Sequence, residues 1–233
     1  MPTRYCYTLF NTARMYLMAR PVKRQYNSVR RREQAGETRL RIIRSAHDLF
    51  VDQGYGRTTI AQIARAAGVA VETVYATFGS KPKLLHEVWD VTVGGDEDDV
   101  PVHERAEVLA VRAEADLARR LRRLAVFNTA VSRRSAPIMV ALRGAAGSDG
   151  AAAAMLTEID RQRLVAMSLH AREAAATGQL AVTEAECRDI LWSTTDGALW
   201  HRLVTGRNWA DSRYAAFLGD LWVGALVNGT QGE

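Results

Sequence analysis

The chain has 233 residues and a mass of 25.7 kDa, room for one large domain or two small ones. With 48% hydrophobic and 24% charged residues and a mean hydropathy of −0.16, it reads as a folded globular protein, not a disordered, collagen-like or membrane-spanning one. The apolar start is interrupted by Arg4, Arg14 and Arg20, which argues against a secretory leader, so a cytoplasmic protein without membrane contact is expected. Cys6 and Cys187 cannot build a disulfide framework or a thiolate zinc site, and the five histidines are scattered; no metal or cofactor is expected.

Charge is unevenly distributed. Residues 1–32 carry eight basic side chains and no acidic one, residues 33–90 are neutral, and residues 91–233 have a net charge of −3. A basic arm on a near-neutral body suits a polyanion, because each neutralised phosphate releases counterions. The segment 1–35 is therefore read as a basic, unstructured arm. Within it, Met18 opens MARPVKRQ, which resembles an ordinary translation start, and 1–17 is left unassigned.

Downstream, the pattern is helical throughout, and the fold class expected is all-α. Leu40, Ile43, Ala46, Leu49 and Phe50 recur at three and four residues, predicting a first helix over 37–53 that Gly54 and Gly56 stop. Thr59 and Gln62 are spaced as a capping box for a short helix ending near Ala67. Gly68 permits a positive φ, and Val71, Val74, Tyr75 and Phe78 mark a third short helix. Two short helices about a tight turn make a helix-turn-helix, here over 59–78. Ser80 and Pro82 open a fourth helix bearing Leu84, Leu85, Val88 and Trp89.

The run Gly94-Gly95-Asp96-Glu97-Asp98-Asp99 reads as an interdomain loop, giving domains at 36–91 and 92–233. Helical patterns follow at 102–112, 115–134, 136–146, 151–177, 183–205 and 210–228. The last two are apolar on more than one face, which predicts a self-complementary four-helix interface between two copies, through Leu199, Leu203, Tyr214, Phe217, Leu218, Leu221 and Trp222.

The segment TTIAQIARAAGVAVETVYATFGSKPKLLHEVWD resembles the DNA-binding domain of the tetracycline-repressor (TetR) family of bacterial regulators, with Ala67-Gly68-Val69, Thr73-Val74-Tyr75, Phe78 and Lys81 at that family's spacing. The resemblance implies a homodimer on a near-palindromic double-stranded DNA operator, most often a repressor released by a small-molecule effector bound in the C-terminal domain. It places Val71, Glu72 and Thr73 at the base edges and makes Tyr75 and Lys81 phosphate contacts. Thr59 would do the same at the start of the second helix, whose free N–H groups suit an anion. Arg30, Arg31 and Arg32 would follow the backbone or enter a minor groove. Two departures stand out. Ala70 occupies the position where a capping Ser is common, and Glu72 replaces a common Gly, so base specificity is not transferable.

An effector pocket should show as polar residues breaking apolar stripes. Asn128, Arg163, His170 and Asp196 do so, predicting a pocket ringed by Trp89, Phe127, Met139, Met167 and Trp192. The competing readings are an all-helical enzyme and an interaction adaptor with a degenerate DNA head. Against the enzyme stands the lack of any catalytic or phosphate-binding motif.

Overall fold

The computed structural model describes residues 22–95 and 104–227, with side chains from Glu33 onward. The described residues are overwhelmingly α-helical: α1 (Val22–Gln53), α2 (Ile60–Ala67), α3 (Val71–Phe78), α4 (Lys81–Gly94), α5 (Ala106–Arg112), α6 (Leu117–Ala146), α7 (Gly150–Ala175), α8 (Glu184–Thr194), α9 (Ala198–Trp200) and α10 (Asp211–Leu226). A π-helical turn, His201–Thr205, continues α9. Extended pairing among them is limited to a single antiparallel bridge between Leu180 and Val227.

Helix α1 starts at Val22, so residues 22–35, expected as unstructured arm, are helical. Residues 33–37 are all exposed, and Glu33, Gln34, Ala35 and Glu37 are good helix formers, so local propensity rather than burial sustains the helix over those residues. Residues 1–21 and the side chains of Arg30, Arg31 and Arg32 lie outside the described residues. The chain divides at Thr38/Arg39 into two units, and both hydrophobic cores belong to the second.

The first core joins Ile42, Ala46 and Phe50 of α1 to Ile63, Val74, Phe78, Leu84 and Val88, and continues into Ile138 and Leu142 of α6 and Met155 and Ile159 of α7. The expected boundary at 91/92 therefore does not separate two cores, because α4 packs on both α6 and α7. The second core is built on α6, α7, α8 and α10, with Leu121, Ala171, Leu191, Tyr214, Leu218 and Trp222 at its centre.

Two further boundaries differ from expectation. The patterns at 115–134 and 136–146 are one helix, α6, which runs through Pro137. Proline removes one backbone donor, but Ala136, Ile138 and Met139 are buried, and packing on both sides offsets that loss. Conversely, the pattern at 183–205 breaks at 195–197. Gly197 takes φ +77°, and the Asp196 carboxylate accepts from the Ala198 N–H at 2.9 Å, restarting the chain as α9. Helix α10 lies close against α6: a Cβ on Gly219 would sit 3.2 Å from the Arg122 Cα.

Candidate nucleic-acid interface and internal cavity

The helix-turn-helix is assembled from short-range hydrogen bonds. Thr59 Oγ1 accepts from the Gln62 N–H at 3.2 Å, while the Thr59 N–H donates to Gln62 Oε1 at 2.7 Å, completing the capping box. Gly68 adopts φ +65°, where a side chain would be strained, and its N–H and that of Val69 close α2 on Arg65 and Ala64. Helix α3 begins at Ala70 without a side-chain cap, as the sequence implied. Ser80 Oγ accepts from the Lys83 N–H at 3.4 Å to open α4.

Burial sorts the residues of α3. Val74 and Phe78 face the core, whereas Glu72 is exposed and Tyr75 is 51% exposed. Thr73 is half-buried, and Val71 is not free at the edge: it is half-buried and packs on the first core. Thr59 is exposed at the start of α2. Lys81 is partly buried, with its ammonium 4.0 Å from the centroid of the Tyr55 ring. Burial lowers the Lys81 pKa, against an opposing pull from Asp149, and raises that of Tyr55 to about 12. Behind α3, Arg39 pairs with Glu87 and lies 5.1 Å from the centroid of the Phe78 ring, tying α1 to α4.

A cavity of about 330 Å³ opens among α4, α5, α6 and α7. Six residues that the sequence pattern singled out line it: Trp89, Phe127, Asn128, Arg163, Met167 and His170. Three others do not. Met139 is buried in the first core. Asp196 turns to Arg143, at 2.8 Å, and caps α9. Trp192 lies outside the wall, donating from Nε1 to the Asp160 carbonyl at 3.3 Å and underlying the Arg163 guanidinium. Sequence reasoning missed Arg112, which closes the apolar run of α5 and pairs with Glu173 at 2.5 Å, and Gln162, Leu169 and Thr195. For Arg112, Gln162 and Leu169 the only sequence signal was position on a helix whose facing partner was unknown, and Thr195 lies in the break after α8.

The Arg163 guanidinium is the most constrained polar group of the wall. It donates to Asp160 Oδ1 at 2.8 Å, to Thr195 Oγ1 at 3.3 Å and to the Trp192 carbonyl, and burial pulls its pKa down. His170 is likewise held below its ordinary pKa of 6.5, first by burial and then by Arg112 and Arg120, against Glu173.

The expected intersubunit set also divides. Tyr214, Leu218 and Trp222 are fully buried inside the protomer, against its own α6 and α8, and so are not available to a second copy. Leu199 and Leu203 are half-buried on the second core, while Phe217 and Leu221 are 38% and 40% exposed.

Residues 42–88 match the bacterial regulatory proteins of the tetR family. Over that segment the chain carries the tetR-family regulatory domain. Over 87 residues it is 36% identical to the transcriptional regulator TtgR of Pseudomonas putida, an alignment covering 37% of each chain. The chain spans little more than a third, or less, of the length of the curated relatives first matched. Solved structures extend the likeness in fold along the chain. NalD of Pseudomonas aeruginosa superposes with a TM-score of 0.62 at 22% identity, over 84% of this chain and 99% of that one. FadR of Bacillus subtilis gives 0.63 at 18% identity, over 80% and 98%. These neighbours share the fold of the helical body as well as that of the head.

Proposed function

We propose that this protein is a DNA-binding transcriptional repressor of the TetR family that acts as a homodimer on a near-palindromic operator and is released by a small molecule. The observation that carries the reading is the outer edge of α3, where Glu72 and Tyr75 are exposed and Thr73 half-buried, beside the capped start of α2. An α-helix of that size fits the major groove, and the free N–H groups at the N-terminus of α2 suit a phosphate. Glu72 accepts from a cytosine amine, Thr73 donates to a base or phosphate, and the Tyr75 phenol reaches the backbone.

The small-molecule part of the reading rests on α4. Its first residue, Lys81, lies at the DNA end, and Trp89 and Val93 line the cavity. Arg134 donates to the carbonyls of Thr92 and Val93 at 3.1 and 2.8 Å, binding the far end of α4 to α6. A ligand in the cavity therefore bears on the helix that carries the reading head. Moving the two heads alters the ~34–36 Å spacing that adjacent half-sites on one duplex face require. NalD is described as a secondary repressor of a multidrug efflux pump and FadR was solved with stearoyl-CoA, so repression and ligand capture both have precedent on this fold. Dimerisation is supported by the exposed Phe217 and Leu221 on α10.

Selection of random duplexes by the purified protein at one stated salt concentration tests the reading. An enriched inverted repeat bound by two copies supports it, and retention of duplexes with no common sequence overturns it.

A further inference from the structure

The charged groups on the cavity wall are of one sign, beside the neutral Asn128, Gln162, His170 and Thr195. Its charged residues are Arg112 and Arg163, and no Asp or Glu lines it. Arg112 is already matched by Glu173, which takes two short bonds from it and sits behind the wall. Arg163 is paired with Asp160 at 2.8 Å and both its Nη atoms are engaged, but its Nε is buried with no hydrogen-bond partner, as is Oε2 of Glu173 behind the wall. A buried guanidinium N–H without an acceptor costs free energy until something accepts from it. The same wall carries an apolar surface from Trp89, Leu124, Phe127 and Met167.

We infer that the cavity takes a compact carboxylate carried on an apolar body, its head bound at Arg163 and its body against Trp89, Leu124, Phe127 and Met167. The size of the cavity, near the lower end of the roughly 300–1,000 Å³ usual for ligand sites, limits the body to a short chain or one or two rings. A cationic ligand would meet two guanidinium groups and no lining carboxylate, and a neutral alcohol would leave the anion preference of that wall unused. The inference rests on the reading of this cavity as the effector site, and names what that site selects.

Octanoate, 1-octanol and octylamine form a series with one body and three heads. Calorimetric titration of the full chain should show octanoate binding at least tenfold more tightly than either of the others. Arg163→Gln should remove that preference while leaving 1-octanol unchanged, and Ala166→Trp, which places an indole at the cavity rim, should abolish binding of octanoate. Should Arg163→Gln fail to fold, the head-group order in the unmodified protein and the effect of Ala166→Trp still decide. Equal or tighter binding of 1-octanol or octylamine, no binding by octanoate, or octanoate binding indifferent to Ala166→Trp would each overturn the assignment. Octanoate that binds as described yet leaves the selected operator bound keeps the ligand class and overturns the effector role. Operator release by 1-octanol in preference to octanoate does the reverse.

Discussion

The Lys81 ammonium sits over the Tyr55 ring, 4.0 Å from its centroid, so the first residue of α4 is seated on the loop between α1 and α2. Asp149, the N-cap of α7, acts electrostatically on both residues. The contact lies within the reading head, and it makes the role expected of Lys81 more specific: the side chain is held at one place before any phosphate arrives. Lys81→Ala should cost about 0.5–1 kcal/mol of stability by loss of the cation–π contact. It should also lower the slope of log K against log salt by about one, as removal of a phosphate contact does. Urea unfolding and a salt titration of operator binding read the two effects separately.

The turn of the helix-turn-helix depends on one backbone conformation. Gly68 has φ +65°, and a Cβ built there would meet nothing within 4 Å. Gly68→Ala should therefore destabilise by about 1–2 kcal/mol through conformation alone, with no steric clash to relieve. Gly219→Ala is the contrasting case. It has ordinary helical φ, but the new Cβ would meet Arg122 Cγ at 3.1 Å and its Cα at 3.2 Å, so α6 and α10 must give by a few tenths of an ångström. Denaturant midpoints should fall for both, and structures of the variants should show displaced helices only for Gly219→Ala.

Caps on α2 and α3 predict changes of opposite sign. Thr59→Ala removes the reciprocal bonds with Gln62 and should cost about 1 kcal/mol. Ala70→Ser supplies the oxygen that the start of α3 lacks and should gain up to about 1 kcal/mol. Thermal unfolding of the two variants checks the signs, and a loss on Ala70→Ser would mean that the β-region backbone there does not present a usable cap.

The pH dependence of stability should carry a contribution from His170. Its pKa lies below 6.5 in the folded chain, chiefly through burial, so the unfolded chain binds the proton more readily. Stability is thus complete above about pH 6.5 and declines as the pH falls through the folded-state pKa. The neighbouring groups that enter are Glu173, Arg112 and Arg120. In His170→Gln the loss of stability between pH 7.5 and pH 5 should be smaller than in the unmodified protein; an identical loss would assign it to other groups.

The head was legible because its signals are local. Thr59 to Gln62, Gly68, and Ser80 with Pro82 each act over three residues or fewer, and the structure uses each one. The body was less legible because packing decided the outcome. Pro137 reads as a helix end in isolation, yet lies inside α6 because buried residues flank it. Two apolar faces on α10 are compatible with two copies meeting, but Tyr214, Leu218 and Trp222 are covered by the same chain. At the cavity, polar residues interrupting apolar stripes led to Asn128, Arg163 and His170, which line it, and equally to Asp196. The partner of Asp196, Arg143, is 53 residues away, a pairing that periodicity does not encode.

If the exposed edge of α3 reads DNA, Tyr75→Phe removes one contacting oxygen from a side chain that is 51% exposed. A hydrogen bond to a charged phosphate is worth roughly 1.5–3 kcal/mol. Fluorescence anisotropy with the selected operator at fixed salt should therefore show about tenfold or greater loss of affinity, with an unchanged unfolding midpoint. Unchanged affinity for that duplex would mean that Tyr75 and the edge of α3 do not contact DNA.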